Sequence, residues 1–330
     1  MKRKRGLADQ FMVDLKTGSL SPLLDRVRKD ATLDLRIREN YINVYYRGGS
    51  LLKVSVPNQR NHPPNYLFEF NPDYTKYRDI PLMFPPSEVV EIDGCRKWLL
   101  LVPEIKDTMD LWFGKHPKVE RTLQQAVVWE NNDSPWANGT DYFIIDIEYD
   151  SRKGISNNMD GSGGRFDLVA IRWDSSSSSR ALRGQLKARI AIIEMKTGDQ
   201  ALKGTAGLQE HVRVLESFGR DVSRKEEFIE EMLGVFNQLH QLGLIKCLSR
   251  RQSVGAEGPI LKRQDVDNNL VYMLLLAGHD PASKKLKMEL ESLNTELPIQ
   301  VCTANFTGFG LYKENIYPLP EFITRFQKQI

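Results

Sequence analysis

An α/β fold with a β-rich stretch ahead of it is predicted by two periodicities that change near residue 110. Before that point apolar residues alternate or run in short blocks bounded by Gly, Pro and Asn. After it, apolar strands of six to nine residues alternate with segments of helical period. We therefore expect a β-rich module over 1–110 and an α/β domain over 111–330.

The elements follow in order. In LDLRIREN (33–40), Leu33, Leu35 and Ile37 fall on one side, and Asp34, Arg36 and Arg38 on the other. YINVYYRGGSLLKVSV (41–56) is rich in aromatic and β-branched residues and is broken by Gly48-Gly49, which predicts a hairpin. A Pro/Asn-rich stretch (57–74) comes next, then RKWLLLV (96–102), read as a strand stopped by Pro103. Val119, Leu123 and Val127 follow Pro117 at helical spacing, so 116–131 is a helix. Strands are expected at 142–150, 166–174, 189–198, 268–280 and 298–304, and helices at 205–219, 224–245, 283–293 and 318–328. The loop 151–164 and the Ser-rich run 175–179 read as hairpin insertions.

Composition bounds the function. With 41% hydrophobic and 27% charged residues the 330-residue chain reads as a soluble protein, and no apolar run approaches the roughly 20 residues of a membrane helix. Charges without a long apolar stretch at the start suggest a cytoplasmic protein. Three Cys with no paired spacing and five scattered His argue against a disulfide framework or a structural zinc site. A net charge of +3 is only a mild lean toward polyanions, and the basic Met1 to Arg5 is read as a solvated tail.

The chemistry concentrates on two strands. FDLVAIRWD supplies Asp167, and RIAIIEMKTG supplies Glu194 and Lys196, which share a face because strand side chains alternate. Two acids and a lysine at a sheet edge suit metal-dependent phosphodiester cleavage. A hard cation such as Mg²⁺, with Mn²⁺ as a substitute, prefers carboxylates and a backbone carbonyl, here that of Met195. The acid-any-lysine triplet also occurs at Asp14-Leu15-Lys16 and Glu104-Ile105-Lys106. The first has no apolar strand ahead of it; the second is interrupted by Pro103. Asp146 and Glu148 are reserve ligands on one face of the preceding strand, and His211 is assigned to core packing with Leu208 and Leu215. Arg36, Arg38, Tyr45 and Arg47 on the N-terminal hairpin region are candidates to track phosphates and stack on bases.

Helix, strand, Asp strand, Glu-x-Lys strand, helix, strand over 116–280 resembles the PD-(D/E)XK, or restriction-endonuclease-like, nuclease superfamily. The resemblance implies a central mixed β-sheet flanked by helices, with Asp167 and Glu194 as metal ligands and Lys196 acting on the attacking water. It implies further roles for Glu120 on the first helix, as a catalytic acid and metal ligand, and for Gln209 on the helix after the motif. Gly164, Arg165 and Phe166 precede Asp167, so the proline that names the family is absent. The expected activity is a Mg²⁺-dependent deoxyribonuclease, an endonuclease acting on DNA more than RNA, in bacterial defence or DNA repair. The N-terminal module would dock substrate, a partner protein or a second copy. The alternatives are a nuclease-like module that binds without cutting, and an RNA-cleaving effector.

Overall fold

Two sheets follow one another along the chain, each dictated by its own apolar pattern. The computed structural model describes residues 5–57, 65–90, 94–150, 165–181, 187–204, 207–246, 259–279, 283–304 and 308–328. The basic residues 1–4 and the loop 151–164 lie outside the described residues.

Helices α1 (Asp9–Lys16) and α2 (Ser21–Lys29) come first. Then β1 (Leu33–Ile37), β2 (Tyr41–Tyr46), β3 (Gly49–Ser55), β4 (Tyr66–Glu69) and β5 (Ser87–Val90) form an antiparallel sheet in sequence order. The β2–β3 hairpin forms as expected, one residue earlier than read. Tyr46 pairs with Gly49, and the turn is Arg47-Gly48, with φ of 49° and 74°. Two positive φ values match the twist of the flanking strands.

Residues 96–102 are not a strand. They lie inside α3 (Gly94–Lys115), which runs through Pro103 and buries Trp98, Val102, Ile105, Met109 and Phe113. The boundary expected near residue 110 falls within this helix, and one continuous apolar cluster joins Trp98 and Ile105 to Phe143, Phe166 and Ile192 of the second sheet. The rival Glu104 triplet is thereby removed from any strand end. Glu104 pairs with Arg78 at 2.9 Å, and Lys106 with Asp30 at 2.6 Å.

The second unit runs α4 (Val119–Asn132), β6 (Tyr142–Asp150), β7 (Arg165–Arg172), α5 (Ser177–Arg180), β8 (Arg189–Thr197), α6 (Leu208–Arg220) and α7 (Val222–Gln241). It continues with β9 (Val271–Ala277), α8 (Lys284–Glu291), β10 (Ile299–Ala304), β11 (Tyr317–Pro318) and α9 (Leu319–Lys328). The sheet order is β11-β10-β9-β8-β7-β6. β6, β7 and β8 form an antiparallel meander, while β8, β9 and β10 are parallel. The fold class is therefore α/β with helices on a mixed sheet.

Both faces of this sheet are covered, which explains the near-continuous apolar runs of β8 and β9. Ile190 and Ile192 face the cluster that holds Val212, Leu215, Phe228 and Met232 of α6 and α7. Ala191, Ile193 and Met195 face the opposite cluster, with Val127 and Val128 of α4. Ala191 on that second face leaves room for α4 to approach β8 closely.

β6 ends the sheet, so its outer carbonyls need partners other than a strand. Arg36 supplies them, bonding through Nη1 to the Ile144 and Ile145 carbonyls at 2.7 and 3.0 Å while gripping Asp34. Arg38 reaches the Ile147 carbonyl at 3.0 Å and pairs with Asp146. Asp146 also takes Arg5 at 2.6 Å. The polar side of β1 is thus buried rather than solvated: Arg36 is 1% exposed and Arg38 7%.

Candidate metal centre

The site forms where β7 leaves β8. Their ladder runs from Arg172–Arg189 to Leu168–Ile193 and stops there, while β7 stays paired with β6 out to Arg165. At this fork the Met195 N–H has no strand partner on the β7 side. It donates instead to Asp167 Oδ2 at 2.8 Å. Because the N–H and C=O of one residue project to the same side of a strand, the Met195 carbonyl also faces the fork.

Asp167, Glu194 and Lys196 are all buried at this fork. Asp167 and Glu194 lie close enough for the charge of Glu194 to act on Asp167. Burial, then the neighbouring Glu194 and Glu120, push the Asp167 carboxyl well above its usual range. Burial pushes Glu194 up to about 8, with the Lys196 ammonium pulling the other way. Removing two adjacent carboxyls from water creates a standing demand for positive charge.

Glu120 lies in the first turn of α4, where the helix dipole favours an acid. Its carboxylate comes together with those of Glu148 and Asp167, one oxygen from each lying within 4.8 Å of the others. Glu148 and Asp167 sit between the cross-strand pairs Ile147–Leu168 and Tyr149–Phe166. Glu148 adopts a φ of 53°, uncommon for a residue with a side chain. Mg²⁺ holds its oxygens at about 2.1 Å, so trans ligands stand ~4.2 Å apart. Of three ligands at most one pair is trans and the others are cis, about 3.0 Å apart, so the carboxylates would have to draw together around such an ion.

The two reserve acids have separated. The register of β6 shifts between Ile144 and Asp146, and Asp146 is consumed by Arg38 and Arg5 rather than joining Glu148.

Two residues on α6 exchange roles relative to expectation. Gln209 is exposed, and its Oε1 accepts from the Asn294 N–H at 3.4 Å, so it does not reach the acids. His211 does. Its Nδ1 lies 2.6 Å from Glu194 Oε2, and its Nε2 lies 2.9 Å from Lys196 Nζ. Burial and the Lys196 charge lower the imidazole below its usual range, which favours the neutral ring. The partners then set the tautomer: Nδ1–H donates to Glu194, and Nε2 accepts from Lys196. The helical phase puts this residue on the sheet-facing stripe, three residues from Leu208 and four from Leu215, but does not say which residues of β8 it meets.

The end of β8 is braced from behind. Gly198, at φ 68°, turns the chain, and its N–H bonds to the Ala277 carbonyl. His279 bridges Asp199 at 2.9 Å and the Lys196 carbonyl at 3.2 Å.

The proposed phosphate-tracking residues of the N-terminal sheet do not line this site. Arg36 and Arg38 are buried against β6, Tyr45 hydroxyl bonds Arg38 at 2.8 Å, and Arg47 pairs with Asp110 at 2.6 Å. What the hairpin does is support α4. Gly48 N–H donates to Gln125 Oε1 at 2.7 Å, and a Cβ on Gly48 would fall 2.6 Å from the backbone carbon of Arg121. Only glycine allows that approach beside the helix turn carrying Glu120.

Comparison with known protein families, curated proteins and solved structures finds no match. Among the described residues, no helix is long and apolar enough to cross a membrane.

Proposed function

We propose that this chain is a metal-dependent nuclease of the PD-(D/E)XK type, hydrolysing phosphodiester bonds of DNA. The observation that carries the reading is the carboxylate cluster of Glu120, Glu148 and Asp167 at the β7–β8 fork, with Glu194 and Lys196 buried on the neighbouring strand. A structural role would be served by an apolar pair at lower cost; a cation site needs the acids. The mixed sheet, with α4 before it and α6 after the Glu-Met-Lys strand, supports the same assignment.

Asp167, Glu120 and Glu148, with Glu194 and the Met195 carbonyl facing the same fork, would hold Mg²⁺ or Mn²⁺. All are hard oxygen donors. A bound cation would lower the pKa of a water and neutralise charge on the scissile phosphate. Lys196 supplies a positive charge near the nucleophile, and His211 holds its ammonium on the Glu194 side of the strand.

The test is cleavage of matched DNA and RNA with and without Mg²⁺, by the wild type, Glu194→Ala and Lys196→Ala. Loss of Mg²⁺-dependent DNA cleavage in both variants, with unchanged circular dichroism, is expected. Undiminished cleavage in either would refute the assignment, and cleavage of RNA alone would move it to a ribonuclease.

A further inference from the structure

We propose that Arg121 and Arg165 are the phosphate-binding pair of this site, held on Glu148 until a divalent cation takes that carboxylate from them. The inference rests on reading the acids as a cation centre.

Both arginines converge on one oxygen. Arg165 Nε lies 2.8 Å from Glu148 Oε2, and Arg121 Nη2 lies 3.5 Å from the same atom. They arrive from different elements, Arg165 from the start of β7 and Arg121 from the first turns of α4. Their side chains are 53% and 40% exposed, whereas Glu148 is 15% exposed. The guanidinium groups therefore stand at the solvent rim of the acids, with their remaining N–H groups free to turn outward.

Glu148 is also one of the three carboxylates whose oxygens cluster. A divalent ion there competes with the guanidinium groups for the same oxygen and repels their charge. Displaced from Glu148, two planar forks remain beside the ion, matched to phosphate oxygens and unable to lose their charge. Cation and nucleic-acid backbone then bind with positive coupling, because the ion releases the groups that the phosphate uses. Without an ion the arginines neutralise part of the acidic cluster. The chain thus presents its phosphate-binding groups only when it is loaded for cleavage.

This arrangement gives each arginine opposite effects on two ligands. Removing it should strengthen cation binding, since a competing positive charge is gone, and weaken backbone binding.

The experiment uses the full chain with Arg121→Gln, Arg165→Gln and the double variant. Mn²⁺ binding is measured by calorimetry, and duplex DNA binding in Ca²⁺ by fluorescence anisotropy over a salt series. The double variant is expected to bind Mn²⁺ about 5–10-fold tighter, and duplex at least ~10-fold more weakly with a shallower salt slope. Unchanged or weaker Mn²⁺ binding overturns the proposal, as does unchanged duplex binding. Should the glutamine variants not fold, Arg121→Lys and Arg165→Lys carry the test: charge is kept but the fork is lost, so duplex binding falls while Mn²⁺ affinity stays near wild type. A wild type that binds no Mn²⁺ refutes the cation centre itself; a wild type that binds it, with glutamine variants that leave Mn²⁺ affinity unchanged or lysine variants that leave duplex binding unchanged, refutes only the role of the arginines.

Discussion

Replacing Glu194 by glutamine should make the ion-free protein less sensitive to alkaline pH. In the folded state burial raises this carboxyl from 4.5 to about 8, so the folded chain holds a proton that the unfolded chain releases near 4.5. Between those two values the folded state binds more protons, and stability falls as pH rises. The contribution is fully present below about 4.5 and lost as pH passes through about 8. At about 1.4 kcal/mol per pH unit, the interval from 4.5 to about 8 sets a ceiling of about 5 kcal/mol. Rearrangement of the buried site around the charged form brings the expectation to a few kcal/mol. The amide of the replacement side chain has the same shape and no proton to lose. Urea unfolding of wild type and Glu194→Gln at pH 5 and pH 8.5 should show the variant gaining a few kcal/mol relative to wild type over that interval. Ca²⁺ should return much of the lost stability to the wild type at pH 8.5 and less to the variant. Parallel stability curves for the two proteins would refute the claim that Glu194 is held protonated by its surroundings.

Further outcomes follow from the same geometry. Asp167→Asn should lower Mg²⁺-dependent cleavage by at least ~100-fold with the far-ultraviolet circular dichroism unchanged, since one oxygen ligand becomes a neutral amide. His211→Ala should reduce the cleavage rate by roughly 10-fold or more, and His211→Gln should restore part of it, because an amide can still accept from Lys196; gel assays of single-turnover rates decide this. Gln209→Ala, on the exposed side of α6, should alter that rate by less than about two-fold. Asp146→Ala should cost about 3–5 kcal/mol in urea unfolding, because it strands Arg38 in the interior.

The strands of the second sheet are legible in the sequence because each is an apolar run with a definite length and a polar boundary. β6 and β8 start where expected, and α4, α8 and α9 shift by a few residues at most. Pattern misleads where an apolar run fits two periods. Trp98 to Leu101 suits a buried strand or one face of a helix, and Pro103 reads as a terminator although α3 runs past it. α1 and α2 are absent from the expected elements although Leu20, Leu23, Leu24 and Val27 fall at helical spacing around Ser21-Pro22. At the site, Asp167, Glu194 and Lys196 can be found from local pattern. His211 and the separation of Glu148 from Asp146 cannot be found that way. One depends on the phase of α6 against β8, the other on a register shift in β6. The arginines of β1 mislead for a third reason: alternation places a residue on a face, but what covers that face is decided by another sheet.

That covering sheet makes the two halves of the chain inseparable. Arg36 and Arg38 act in place of a neighbouring strand for β6, and Arg5 closes on Asp146 from the start of the chain. A fragment beginning after α3 would carry every acid of the candidate centre together with a bare, adhesive sheet border. Such a fragment should gather into β-joined aggregates, so the smallest part of this chain that folds without a bare edge is close to its whole length.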